Sequence, residues 1–222
     1  NVHLNLRLGA RFNENMQINS SLMFSQQIQE YLHDGVLIMP TSFNKNNFFS
    51  SLAKLTNKEL MQIEQNIQNY SSFIIQLASS SNILLNNFRD NTLLSYNLNN
   101  NDIAKLRKYF VLFCNALFDV GAEEIYLPFK KNYKINKDTN LKIFFEKYLL
   151  NNNLEMVSVH GMSSAKMGQK KEKNIIFDIN GKSFDFKNLF CLDSSVLPTC
   201  TIESPQATIM AVALKILNDN FN

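Results

Sequence analysis

The chain has 222 residues, 45% of them hydrophobic and 11% aromatic, enough apolar material for one sizeable core or two small ones, which excludes disorder over its whole length. Its 22 basic and 19 acidic residues nearly cancel, and only Lys166 to Lys173 forms a basic run, best read as a solvated loop, so nucleic acid is not an implied partner. Three cysteines, Cys114, Cys191 and Cys200, are an odd count without C-x-x-C spacing; they predict neither a disulfide framework nor a metal site, and a reducing, cytoplasmic setting.

The N-terminus, Asn1-Val2-His3-Leu4-Asn5-Leu6, has no initiator Met and no signal-peptide pattern, and the chain holds no apolar stretch long enough to span a bilayer. It reads as the middle of a strand, as if cut from a longer protein. Val2, Leu4 and Leu6 recur at every second residue, and Gly35 to Met39 follows a turn at His33-Asp34-Gly35, so both predict strands. Leu52, Leu55, Leu60, Ile63 and Ile67 predict a helix between Asn47 and Ile67, and Ser72 to Leu77 and Thr92 to Asn97 read as further strands. The clearest helix begins at Asn101-Asp102, carries Ile103, Leu106, Tyr109, Phe110, Phe113, Leu117 and Phe118 on one face, and stops at Gly121. A strand at Glu124 to Leu127 ends at Pro128, and Thr139 to Leu150 predicts another helix.

Beyond residue 155 the signals are denser. Met156 to His160 is a short strand-like run, Asn174 to Asp178 and Lys182 to Phe186 flank the hairpin cue Asn180-Gly181, and Leu189 to Leu192 reads as a buried strand. Ser204-Pro205 has the form of an N-cap and first helical residue, opening a helix to about Asn218 that is apolar nearly all round and so is expected to be buried. The fold class is α+β, a mixed or antiparallel sheet with flanking helices, with a boundary placed between residues 1–154 and 155–222.

Two features could carry chemistry. His160 ends a short strand beside the small-residue turn Gly161-Met162-Ser163-Ser164-Ala165, where an imidazole can face a cavity and abstract a proton near neutrality. The N-terminus of the last helix offers free N–H groups to an electron-rich ligand edge. His3 and His33 have nothing around them in sequence that indicates a site. The six glycines never form G-x-G, which leaves no dinucleotide fingerprint or P-loop, and no G-x-S-x-G elbow occurs.

Three segments in order carry a resemblance. Val159-His160-Gly161-Met162-Ser163-Ser164-Ala165-Lys166-Met167-Gly168 is similar to the His-containing loop ending in Met-Gly of the glucose-methanol-choline (GMC) oxidoreductases. Asn188 to Thr199, with Asp193-Ser194-Ser195, resembles the family's strand and Asp-x-Ser turn, and Ser204-Pro205-Gln206-Ala207-Thr208-Ile209-Met210-Ala211 resembles its Asn-Pro-Gln-x-Thr-Ile-Met-Ala helix start. Upstream, Tyr96 to Leu127 resembles part of the family's substrate domain.

The resemblance implies the C-terminal part of an FAD-dependent enzyme that oxidises a primary or secondary alcohol to a carbonyl compound. Residues 1–154 would be a substrate-binding domain, and 155–222 would complete an FAD-binding domain with a strand and a buried helix. His160 would be the proton acceptor, Ser204 a second catalytic position, and Asp193, Ser194, Pro205, Gln206 and Ala207 would contact the flavin. Likeness to the long-chain alcohol oxidases, with abundant Phe and Leu, gives a mild preference for a long-chain or lipid-like alcohol. Two departures accompany it: Ser204 stands where the family usually has His or Asn, and the N-terminal FAD-binding segment is missing from these 222 residues, without which the isolated chain is expected to be inactive. A decayed flavoprotein fragment acting as a binding module is the alternative.

Overall fold

The computed structural model describes residues 2–16, 26–41, 55–88 and 91–221. It divides into two compact units, each discontinuous in sequence: one comprises Asn1–Leu4, Ala78–Asn97 and Ser158–Asn222, the other Asn5–Leu77 and Leu98–Val157. No single cut near residue 154 expresses that division, because strand pairing and loop contacts gather segments that lie far apart along the chain.

The larger unit holds most of a five-stranded sheet in the order β2-β3-β1-β6-β7. Its strands are β1 (His3–Phe12), β2 (Val36–Pro40), β3 (Tyr70–Ala78), β6 (Ala122–Tyr126) and β7 (Lys134–Asn136). The pairs β2/β3, β1/β6 and β6/β7 are antiparallel, with Ile38 opposite Ile75, Gly9 opposite Tyr126 and Ile125 opposite Ile135. β1 lies in the middle, and nearly all of its residues are buried, so its alternation of Leu4, Leu6 and Leu8 with polar residues does not mark a wet face.

Three helices accompany this sheet: α1 (Asn57–Gln65), α2 (Asn100–Asp119) and α3 (Leu141–Tyr148). The Thr56 hydroxyl accepts from Glu59 N–H while the Glu59 carboxylate accepts from Thr56 N–H, a reciprocal capping box that starts α1. The expected helix from residue 47 begins ten residues later within the described part, and its first positions lie outside the described residues. The Asn99 side chain caps α2 by accepting from Asp102 N–H at 2.9 Å, and Gly121, at φ 99°, closes it in a conformation that side chains disfavour. Leu106, Tyr109, Phe110, Phe113 and Leu117 form the buried face of α2, as their spacing predicts. The Phe110 ring lies 5.2 Å from Phe145 of α3 and 6.2 Å from Phe129, an aromatic cluster in which each ring contributes roughly 1.5–3 kcal/mol by burial. Tyr109 Oη donates to Asp34, and Lys108 Nζ lies 2.9 Å from the same carboxylate, tying the turn before β2 to α2.

The smaller unit is built largely of turns. β4 (Ile83–Phe88) and β5 (Asn91–Tyr96) form an antiparallel hairpin, and β8 (Lys166–Met167) pairs in parallel with β9 (Ile175–Phe177). The expected strands at Met156–His160, Lys182–Phe186 and Leu189–Leu192 are instead chains joined by isolated bridges, such as Asn5 to Val157, in the larger unit, and Lys182 to Phe190. Their apolar residues are too few and too exposed to specify ladders; Leu189 and Phe186 are both solvent-facing. The Asn180-Gly181 turn does form, with Gly181 at φ 73° and Asp178 Oδ1 accepting from Asn180 and Lys182 N–H at 2.9 Å each.

α4 (Gln206–Phe221) closes the chain. Ile216 is buried against Phe177 and Val196, while Met210, Leu214 and Phe221 are each more than half exposed. The burial expected for this helix is thus met within the chain at one position. An all-round apolar composition says that a helix needs cover, without saying which polypeptide supplies it.

Candidate functional site

The smaller unit carries the His160 loop. The bridge between Val2 and Gly161 holds its start, and three hydrogen bonds lace it to the Asp193–Val196 turn. Ser163 N–H donates to the Ser194 carbonyl (3.2 Å), Ala165 N–H to the Ser195 carbonyl (3.0 Å), and Ser194 Oγ to the Gly161 carbonyl (2.8 Å). The turn has its own brace: Asp193 Oδ1 accepts from Ser195 N–H at 2.7 Å. Ser195, through hydroxyl and backbone N–H, holds the Asp193 carboxyl below its ordinary range. Two segments separated by some thirty residues are therefore one rigid wall.

Beside this wall opens a cleft of about 800 Å³, bordered by Gly161, Met162, Ser163, Ser164, Asp193, Ser194 and Ser195 and, across from them, by Ile83, Leu84 and Leu94 of the β4/β5 hairpin. Ser163 stands at φ 63°, a left-handed conformation uncommon for serine, and its Oγ is buried with no hydrogen-bond partner among the described residues. An unpaired buried hydroxyl is costly by about 1–3 kcal/mol, and one that borders a cleft marks where a ligand's polar edge would complete it. Asn82, Lys166, Lys173 and Asn174 also line the cleft, so polar side chains and the apolar Ile83, Leu84 and Leu94 share it, a lining that fits a flat, polar-edged ring such as that of a flavin.

His160 is partly exposed, and burial lowers its pKa, which keeps the ring neutral near pH 7. Its Nδ1 lies 3.3 Å from Nδ1 of His3, with the two rings edge to face at 87°. His3 in turn reaches Thr201 through Nε2. A chain of contacts thus joins the His160 ring to the segment that leads into α4, three residues before Ser204.

The sequence-derived residues fall into two groups. His160, Asp193 and Ser194 belong to the laced wall, with Asp193 and Ser194 on the cleft itself. Ser204, Gln206 and Ala207 are exposed and Pro205 is buried, and none of the four borders that cleft. The first helical carbonyl of α4 is that of Pro205, which accepts from Ile209 N–H at 2.8 Å, so Pro205 is the capping residue and Ser204 lies outside the helix. The expectation of a Ser204 cap is corrected by one residue: proline's fixed φ suits either position, and the sequence does not separate them.

His3 is the residue that sequence reasoning set aside. On a strand whose alternate residues are Val2, Leu4 and Leu6, its position reads as the solvent side, yet it is fully buried. The one available signal was the stripe His3, Asn5, Arg7 on a strand that central placement buries on both faces.

The chain belongs to the GMC oxidoreductase family, whose model matches residues 79–213, more than half its length, a span that includes His160, Asp193, Ser194 and Ser204 to Ala207 but not His3. A long-chain-alcohol oxidase of Arabidopsis thaliana is 26% identical over 130 residues, covering 55% of this chain and 18% of the plant protein. An uncharacterised GMC-type oxidoreductase of Sinorhizobium fredii is 25% identical over 217 residues, covering 97% and 42% respectively. Among solved structures, a formate oxidase of Aspergillus oryzae, studied for modification of its FAD, superposes with a TM-score of 0.61 at 13% identity, over 99% of this chain and 46% of that one. Pyridoxine 4-oxidase from Mesorbium loti gives 0.55 at 10% identity, over 98% and 42%. These two share the fold, and the chain spans less than half the length of each of these relatives.

Proposed function

We propose that this chain is the C-terminal part of an FAD-dependent oxidoreductase that converts a primary or secondary alcohol to a carbonyl compound. The observation that carries the reading is the wall itself: a His loop and an Asp-x-Ser turn, hydrogen-bonded into one piece beside a cleft with an unsatisfied Ser163 hydroxyl. The unit with the five-stranded sheet is the substrate-binding part, and the smaller unit completes the cofactor-binding part. When bound, the flavin supplies the hydride acceptor. His160, neutral, takes the hydroxyl proton as the carbon–hydrogen bond gives up its electron pair, so one proton and one hydride leave the alcohol together. Ser163, Asp193 and Ser194, which line the cleft, would hold the cofactor there. By the family resemblance Pro205, Gln206 and Ala207 would hold it at the start of α4, where a helix N-terminus favours negative charge, and Ser204 would be the second catalytic position.

The plant long-chain-alcohol oxidases supply the substrate class, with a preference for long-chain alcohols. Relatives of more than twice this length support a preceding nucleotide-binding segment, against which the exposed apolar face of α4 would pack. Cys191 and Cys200 lie in no disulfide among the described residues, which fits a cytoplasmic, reducing location for the whole protein. Among the described residues no helix is long and apolar enough to cross a membrane.

The test is His160→Ala in the intact protein. Bleaching of the flavin by a long-chain alcohol should slow on the order of 10² to 10⁴-fold while the flavin stays bound, because a lost base affects the chemical step more than cofactor affinity. Undiminished bleaching removes His160 from its role. A second reading, a binding module without turnover, rests on Ser204 standing where the family usually carries His or Asn; bound flavin that no alcohol bleaches would favour it.

A further inference from the structure

The buried histidine His3 contacts the proposed base, and the protons around it can be assigned by elimination. His3 Nε2 faces two oxygens of Thr201, the backbone carbonyl and, at 3.3 Å, the hydroxyl. A carbonyl only accepts. The hydroxyl directs its own proton to the Glu203 carbonyl 2.6 Å away, so toward His3 it also can only accept. His3 Nε2 must therefore carry a proton.

Burial is the main influence on the His3 pKa and lowers it; the Thr201 carbonyl works against burial and His160 adds to it, and the net lowering leaves the ring neutral with that single proton. Nδ1 of His3 is then a bare lone pair. It lies 3.3 Å from Nδ1 of His160, a contact that is favourable only if the His160 nitrogen is the donor. Among the described residues no other group bonds to the His160 ring. With its proton on Nδ1, His160 has its lone pair on Nε2.

We propose that His3 is a positioning residue that holds His160 in the Nδ1–H tautomer, leaving His160 Nε2 as the atom that accepts the substrate's proton. The direction of every hydrogen in the series follows from one fixed end, the Thr201 carbonyl. The device resembles in logic the way a hydrogen-bond acceptor behind a catalytic imidazole selects its tautomer and orientation, with a neutral lone pair where other enzymes use a carboxylate. A neutral partner stabilises the protonated imidazole less, so His160 returns its proton readily once the carbonyl product has formed.

This proposal rests on His160 being the proton acceptor, and its test separates the two ideas. In the intact, flavin-loaded protein with isotopically labelled histidine, correlation spectra of the imidazole nitrogens should show His160 protonated on Nδ1 and His3 on Nε2. Lone pairs should appear on His160 Nε2 and His3 Nδ1, with signals assigned by the loss of each in His3→Asn and His160→Ala. The reverse pattern on either ring overturns the proposal whatever the activity. Kinetically, His3→Asn places an amide oxygen near the position of Nδ1 and should keep the rate of flavin bleaching within about threefold. His3→Gln places its amide near Nε2 and leaves His160 without an acceptor; its kcat should fall about ten- to hundredfold with KM little changed. Equal losses in both variants, accompanied by loss of flavin, would mean that His3 only fills space, and would overturn the positioning role. If the tautomers are as assigned but His160→Ala bleaches normally, the hydrogen-bond series stands and the function proposed for His160 fails.

Discussion

The two compact units are built on opposite plans. The larger one, with its sheet and α2, draws its order from long periodic elements: almost every residue of β1 is buried, and α2 presents a continuous apolar face to the aromatic cluster of Phe110, Phe129 and Phe145. The smaller one has a core cluster of Phe177, Val196 and Ile216 and relies on hydrogen bonds between loops. Burial is nondirectional and tolerates small shifts, whereas a laced loop fixes individual atoms, which is what a site needs. The unit poorer in apolar packing is the one that bears the proposed chemistry.

That contrast can be broken by mutation. Phe110→Ala, at a fully buried ring, should cost roughly 3–5 kcal/mol in urea unfolding of the intact protein, the largest stability effect expected here. A loss below about 1 kcal/mol would show that the aromatic cluster is not what holds the larger unit. Gly181→Ala acts on the smaller unit by two routes: its φ of 73° disfavours a side chain, and the added carbon would come within 2.6 Å of Ile216 Cδ1. We expect a cost of about 1–3 kcal/mol, with faster amide exchange in α4 and unchanged exchange in α2. Uniform loss of protection across both helices would erase the distinction between the units.

Smaller effects sharpen it. Asn99→Ala removes the acceptor for Asp102 N–H and should cost about 1 kcal/mol, read as a lower urea midpoint at constant slope. Acid should act on the two units in different windows. The folded-state pKa of His3 lies below its ordinary 6.5, mainly through burial, so the unfolded chain takes up the proton first, and the smaller unit loses stability as pH falls below that value. Asp34 in the larger unit is held at about 2 by the Tyr109 hydroxyl and then by Lys108, so its contribution is complete above 3.8 and disappears as pH falls toward 2. Amide exchange followed from pH 7 to pH 3 should show the smaller unit opening first; simultaneous opening would count against His3 as the earlier trigger.

Legibility followed the same divide. In the larger unit α2, α3, β2, β3 and β6 stand within a few residues of where periodicity and the Gly121 stop place them, because a repeating apolar face is local information. β7 (Lys134–Asn136) was missed, having only Ile135 buried among its three residues. In the smaller unit the strand readings at 156–160, 182–186 and 189–192 resolve into single bridges, while the turn at Asn180-Gly181 is as its residues predict. For the site, the motifs and their order marked His160, Asp193 and Ser194, and folding brings their loops together. The orphaned hydroxyl of Ser163 lay within a quoted motif, yet no pattern distinguishes it from its neighbour Ser164.

Residues close together along the chain sufficed for the α+β class, the principal helices with the Gly121 stop of α2, and the motifs that mark the chain as a GMC oxidoreductase. Only the tertiary structure decided that His3 is buried and touches His160, a partnership across 157 positions. A hydrogen bond depends on where two atoms meet in space, and no spacing rule along the chain encodes that meeting.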